Sequence, residues 1–372
     1  MSYGQGQGGY GTYYGHEQPM NYMNGGEFAA PPQSWESQQQ QTQAYNSQQN
    51  TNQPPQAWND QTSQSHQYSS QQTAAATPQA SIAEATAVPE IKSIERSAMF
   101  TFCPSAPFLA AGSVAGAIDL SFSTSSQLEI FSLDYASPAR LLQPVGLPVQ
   151  APERFSKLSW VDTSGTELSH LKYGMLGGGL SDGTVCVWNP APIIEGNGVA
   201  DSALLCRLSK HQGAVRGLEF NPLSPKLLAS GAMDGEVCIW DLAKLAQPSL
   251  YPAMQSNGGS TGQVTCLQWN RKVQHILATG TSSGSVVVWD LKKSRPVITL
   301  SDSSGRRRCS SIAWNPEIAT QVMVSSDDDS STTLQLWDLR NAVSPVAELA
   351  GHQKGVLSLD WSMHDPSLLL SS

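Results

Sequence analysis

Beyond residue 88 the chain alternates short apolar runs with turn-forming clusters. Each unit opens on an alternating run that closes with an aromatic residue: Met99-Phe-Thr-Phe102, Leu158-Ser-Trp160, Leu218-Glu-Phe220, Leu267-Gln-Trp269, Ile312-Ala-Trp314 and Leu359-Asp-Trp361. A polar break such as Asn221-Pro222 or Asn315-Pro316 often follows, then a run rich in small residues, Leu227-Leu-Ala-Ser-Gly231 or Ile276-Leu-Ala-Thr-Gly280. A tight turn leads into a third run, Val185-Cys-Val-Trp188 or Val286-Val-Val-Trp289, apolar on both faces. Runs of this length bounded by turn residues predict strands. A strand apolar on both faces predicts one enclosed between neighbouring sheets. The small residues are expected on inner strands crowded around a narrow axis, with the outer strands spreading to accept tryptophan.

The units are copies of one another. Four of them end in Trp followed by Asp or Asn: Trp188-Asn189, Trp240-Asp241, Trp289-Asp290 and Trp337-Asp338, with the tryptophans 52, 49 and 48 residues apart. A fixed period of this size with a Trp-Asp ending predicts an all-β fold, the WD-repeat β-propeller. Residues 89–372 hold five blades and the start of a sixth, out of a seven-bladed ring, and stop at Leu370-Ser371-Ser372 in the second strand of the sixth. Ring closure is what removes sheet edges in this architecture. An open array is therefore expected to expose an apolar blade face, to associate and to be poorly soluble.

Composition separates the first 88 residues from the rest. They are Gln, Ser, Gly, Asn, Tyr and Thr, with seven of the chain's ten tyrosines and almost no Leu, Ile or Val before Ile82. Nothing there offsets chain entropy, so a disordered, prion-like tail is expected. Its Gly4-x-Gly6-x-x-Gly9 matches a dinucleotide fingerprint in letters only, since no strand precedes it and no helix follows. All 21 basic residues lie beyond residue 91 and face 24 of the 30 acids, the other six being in the tail. Such a slightly acidic propeller carries no footprint for nucleic-acid phosphates. The one basic run, Arg306-Arg307-Arg308, falls in a connection between strands and reads as a solvated loop. The six cysteines are spread singly, which predicts buried thiols and no zinc site. No stretch is apolar enough to span a bilayer as a helix, so any membrane association is expected to be peripheral.

Several patterns invite a chemical reading and are better explained as scaffold. His211, Ser230, Asp234 and Trp240 can form a hydrogen-bonded relay in which the indole N–H donates inward and the Asp orients the His. Trp188, Trp289, Trp337 and Asp338 occupy repeat positions of the same scaffold, and His352 begins another copy. Gly179-Leu-Ser181-Asp-Gly183 and Gly280-Thr-Ser282-Ser-Gly284 both match the nucleophile-elbow pattern, which requires a strand-to-helix turn. Here each lies in a strand-to-strand hairpin at equivalent positions, where Gly supplies positive φ. Asp327-Asp328-Asp329 aligns with the same hairpin and is expected to face solvent. No catalytic, cofactor-binding or metal-ligating residue is assigned, and the chain is not expected to be an enzyme.

The first unit is the most specific. Ile91-Lys-Ser-Ile-Glu-Arg-Ser-Ala98, Leu109-Ala-Ala-Gly112, Ile118–Thr124 and Leu128-Glu-Ile-Phe-Ser-Leu-Asp134 follow one another, with Phe131 where later units carry Trp. Together with Arg154-Phe-Ser-Lys-Leu-Ser-Trp160, Gly177–Gly183 and Ser325–Arg340, this closely resembles the N-terminal propeller of the Sec-thirty-one family over about residues 90–372. The tail is an addition to that family's pattern. The resemblance implies a non-catalytic vertex element of the COPII outer coat, acting in transport from the endoplasmic reticulum to the Golgi. It implies homotypic propeller contacts, a small propeller partner (Sec-thirteen) paired with a helical solenoid, and an inner coat met by a Pro-rich segment. It also implies a cytoplasmic location, peripheral at endoplasmic reticulum exit sites and on vesicles. Two other readings exist. Trp337-Asp338-Leu339-Arg340 fits the pattern that substrate receptors of cullin-type ubiquitin ligases present to their adaptor, with Arg340 as the contact. The tail alone would suit an RNA-granule component, against which stands the lack of a basic face.

Overall fold

The computed structural model describes residues 92–372 apart from 95, 115–125, 197–199, 251–261 and 302–306. The expected tail, the Ile118–Thr124 stretch and Arg306 lie outside the described residues. The rest is built almost wholly of antiparallel strands in sequence order. The first sheet is β1 to β4 (Ala98–Phe102, Phe108–Ser113, Gln127–Ser132, Gln143–Gln150), and the second is β5 to β8 (Phe155–Val161, Met175–Leu180, Thr184–Trp188, Leu204–Ser209). The third is β9 to β12 (Val215–Phe220, Leu227–Ala232, Val237–Asp241, Ser249–Leu250). The fourth is β13 to β16 (Val264–Trp269, Ile276–Thr281, Val286–Asp290, Arg295–Leu300), and the fifth β17 to β20 (Cys309–Trp314, Gln321–Ser326, Leu334–Asp338, Ala347–Leu349). A two-stranded sheet, β21 and β22 (Leu359–Trp361, Leu369–Ser371), follows.

The first strands β1, β5, β9, β13, β17 and β21 pack one against the next, so they are the innermost strands of successive propeller blades. The third strands are the most enclosed: Val185 to Trp188 and Val286 to Asp290 are buried at every position, as a strand covered on both faces requires. A helix α1 (Ala191–Glu195) lies over β4, with Gly146 at φ +70° where a side chain would collide with the Ile193 carbonyl. The tight turns between second and third strands place Gly183, Gly235 and Gly284 at φ +91°, +82° and +85°.

One expectation is corrected. The small-residue runs are the second strands and not the innermost ones, and Trp160, Trp269 and Trp314 close innermost strands. The physical reason lies between blades. The second strand of one blade supports the first strand of the next, and its glycines make room for that strand's side chains. Gly177 sits against Phe220 and Leu218, Gly179 against Val215, Gly231 against Val264 and Leu267. Gly178 is confined by its own blade: a Cβ there would fall 2.6 Å from the Phe155 ring and 2.8 Å from the Trp188 ring. Both rings are fully buried, so Gly178→Ala is expected to cost about 1–3 kcal/mol by overpacking. Urea unfolding checks this through a lowered midpoint at unchanged slope; an unshifted midpoint would count against it.

The two outermost blades carry exposed apolar groups. Phe100 and Phe102, 60% and 55% exposed, pair edge-to-face on β1, and Leu357 and Leu370 are 72% and 70% exposed at the other end.

Candidate functional site

The third blade brings His211, Ser230, Asp234 and Trp240 together. The indole N–H of Trp240 donates to Ser230 Oγ at 2.8 Å, and His211 Nε2 lies 2.8 Å from the same oxygen. Since Ser230 Oγ accepts from the indole, its own hydrogen is best placed toward Nε2, which puts the ring proton on Nδ1, 3.4 Å from Asp234 Oδ2. Asp234 is itself held by the backbone N–H groups of Gln212 and Glu236. The relay thus ties the turn between β10 and β11 to the segment entering β9.

Burial pushes the His211 imidazole below its ordinary value, against the pull of the Asp234 and Glu236 carboxylates, while Lys210 adds to the lowering. The neutral ring is therefore the form the fold accommodates. Its contribution is complete above the unfolded pKa of about 6.5 and is lost as pH falls through the lower folded value. As pH falls below about 6.5 the wild type is expected to lose stability faster than His211→Gln. Parallel stability curves for the two proteins would contradict this.

Two of the other repeat positions use the same geometry: Trp289 donates to the Thr279 hydroxyl at 2.8 Å and His352 Nε2 lies 2.7 Å from Ser371 Oγ, whereas Trp337 donates within its own strand, to Gln335 Oε1 at 3.3 Å. In the second blade the serine position is Gly178, and the Phe155 ring fills that space, 5.8 Å from the Trp188 ring and tilted at 47°. Sequence reading missed a second set of residues that joins the blades. The residue before the closing aromatic of one first strand accepts from the backbone N–H of the next blade's aromatic. Ser159 Oγ accepts from Phe220 at 3.3 Å, Glu219 Oε2 from Trp269 at 2.5 Å, and Gln268 Oε1 from Trp314 at 2.7 Å. The signal was a polar residue inside each Leu-x-aromatic run, and alternation alone assigns such a residue to solvent.

The remaining candidates are structural in their surroundings. Ser181 and Ser282 lie in hairpin turns, with Ser282 Oγ accepting the Gln263 N–H at 3.1 Å. The acidic run is only partly free: Asp327 pairs with Arg308 at 2.9 Å and Asp329 accepts from Gly355. Arg340 is bound within its own repeat, its guanidinium against both Asp338 oxygens and as close as 2.5 Å. Burial of Asp338 would raise its carboxyl, but Arg340 outweighs this and holds it below its ordinary value. Among the described residues the His211, Glu236 and Cys238 donor atoms lie within 4.8 Å of one another. Both His211 nitrogens already face relay partners, and burial pushes the Cys238 thiol up to about 12, so the trio is ill suited to a cation. A groove of about 290 Å³ lined by Thr166 to Leu168 and Leu223 to Lys226 is crossed by the Lys226–Glu167 ion pair at 3.1 Å.

Residues 203–357 match the family described as "Nucleolar protein 10-like, N-terminal domain". "Protein transport protein SEC31 homolog B" of Arabidopsis thaliana is 54% identical over 282 residues, covering 76% of this chain and 25% of that protein. "Protein transport protein SEC31" of Dictyostelium discoideum is 38% identical over 293 residues, covering 76% of this chain and 21% of that protein. The chain thus spans about a quarter or less of the length of these relatives. A chain of the structure "COPII on membranes, outer coat vertex" superposes with a TM-score of 0.61 at 33% identity, over 74% of this chain and 70% of its own. The "Crystal Structure of Mitotic Checkpoint Complex", at 16% identity and a TM-score of 0.53, shows the fold alone.

Proposed function

The chain belongs to the SEC31 family of protein transport proteins, and from that premise we propose that it is a non-catalytic scaffold of the COPII outer coat in ER-to-Golgi transport. Residues 89–372 act as the propeller at a cage vertex, through homotypic propeller contacts and contacts with the other coat proteins. The partners are the small propeller protein and the inner coat, and the location is cytoplasmic, peripheral at endoplasmic reticulum exit sites. The observation that supports this most directly is the alignment with the vertex chain over 70% of its length. The relay of His211, Ser230, Asp234 and Trp240 serves this role as scaffold, since a vertex element works through rigid surface complementarity and needs no reactive centre. The ubiquitin-ligase reading is not favoured, because Arg340 is held against Asp338.

Flotation with liposomes tests the proposal. The full chain is expected to float with liposomes carrying the assembled inner and outer coat, and not with bare liposomes or with the inner coat alone. Ser181→Ala and Ser282→Ala should float as the wild type does. Flotation with bare membranes, or none with the complete coat, would overturn the scaffold assignment, and loss in either serine variant would overturn the structural reading of the turns.

A further inference from the structure

The innermost strands of the fourth and fifth blades hold two thiols in contact. Cys266 on β13 and Cys309 on β17 have their Sγ atoms 3.6 Å apart. The contact arises at a repeated position. Gly179 faces Val215 of the next blade, Gly231 faces Val264, and Gly280 faces Cys309. Two of these three contacts hold a valine methyl in the space the glycine leaves. In the third a thiol takes its place, and Cys266 shares the space, since a Cβ on Gly280 would fall 2.6 Å from its sulfur. Both cysteines also flank a break in strand register, between Val264 and Cys266 and between Cys309 and Ser311. Bulges of this kind loosen the ladder locally and let a side chain be re-aimed. Thr265, the extra residue of the first bulge, donates its hydroxyl to the Cys309 carbonyl at 2.5 Å and so keeps the two strands in register with each other.

We propose that Cys266 and Cys309 are an oxidisable pair that closes into a disulfide between adjacent blades when the protein meets a hydroperoxide. Cys266 is the residue that reacts first, being half-buried where Cys309 is 1% exposed. Its thiolate attacks one peroxide oxygen; an S–O bond forms, the O–O bond breaks, and the second oxygen leaves with the thiol proton as water or an alcohol. Cys266 is thereby oxidised by two electrons to a sulfenic acid. The Cys309 sulfur then attacks the Cys266 sulfur, the S–S bond forms, and hydroxide leaves with the Cys309 proton as water. The contact with Cys309 holds the Cys266 thiol below its ordinary value despite burial, with Lys157 acting in the same sense. The same contact, with burial, pushes Cys309 well up, which suits a resolving thiol that acts second. Reaching the disulfide length of about 2.05 Å needs the two sulfurs to approach by about 1.5 Å, a shift that side-chain rotation at two bulges can supply.

The experiment treats the full chain, folded, with a few equivalents of hydrogen peroxide, blocks the remaining thiols after unfolding, and maps the product by mass. The untreated chain presents six free thiols, and treatment is expected to leave four, with one peptide pair joined through Cys266 and Cys309 and released by dithiothreitol. The thermal midpoint of the wild type should rise by several degrees on oxidation, because the bond closes a loop of 43 residues. In Cys309→Ser the sulfenic acid is left without a resolving thiol, so dimedone should capture it on Cys266 and the midpoint should not rise. Six blocked thiols after treatment, a bond joining a different pair, or Cys266 carried to sulfinic acid without joining Cys309 would each overturn the proposal. The wild-type map decides alone if the serine variant fails to fold.

Discussion

Replacing Trp269 with alanine is expected to lower the unfolding free energy by about 3–5 kcal/mol, with urea unfolding followed by circular dichroism as the measurement. Trp269 is fully buried at the end of β13 and packs among Leu227, Ala229, Ile239, Leu277 and Trp289, so it fills the space between the third and fourth blades. Close-packed surroundings cannot collapse onto a cavity the size of an indole, and the lost contacts are not recovered. The indole N–H also donates to the Glu219 carbonyl at 3.0 Å, which would lose its partner. Trp269→Phe keeps most of the packing and gives up only that hydrogen bond, so its cost should be nearer 1 kcal/mol. A loss below about 1 kcal/mol for the alanine variant would show that the blades do not depend on this contact.

Removing Glu219 should be comparably damaging for a different reason. Its carboxylate receives Arg271 at 3.0 Å and the backbone N–H of Trp269 at 2.5 Å, with both side chains of the ion pair less than a fifth exposed. Burial pushes the Glu219 carboxyl above its ordinary value even though Arg271 and the Trp269 N–H pull it down. The ionised group is thus tolerated and is not itself the source of stability. What matters is that two donors end on it. Glu219→Ala leaves a guanidinium and an N–H without their acceptor, at a cost of about 3–5 kcal/mol. Glu219→Gln retains an acceptor oxygen for one of the two donors and should cost less than the alanine variant. A double variant with Glu219→Leu and Arg271→Leu should be milder than the sum of its parts, since it removes donor and acceptor together. Equal losses for the Ala and Gln variants would mean that charge, and not the acceptor, carries the effect.

Some contacts within a blade are legible in the sequence. The relay of His211, Ser230, Asp234 and Trp240 can be placed because its members sit at fixed points of a repeated phrase, and the fold brings them within hydrogen-bonding reach. The bonds joining one blade to the next are not legible. Ser159, Glu219 and Gln268 each lie inside an alternating run, and periodicity assigns a polar residue there to water. The acceptor is needed because the next blade presents an N–H that its own sheet leaves unpaired, and that donor lies 46 to 61 residues away.

The chain's own pattern determined the all-β class, the number and order of blades in these residues, the enclosed third strands and the glycine turns, because each depends on spacing within a single unit. It also carried the family, because the first unit departs from the others in a recognisable way. Tertiary structure decided what one unit does to the next. It set which strand is innermost, made the second-strand glycines seats for a neighbour's side chains, and brought Cys266 and Cys309 into contact across a blade boundary. The physical reason is that contacts between blades join residues dozens of positions apart, where packing in three dimensions decides the partner and local periodicity carries no record of it.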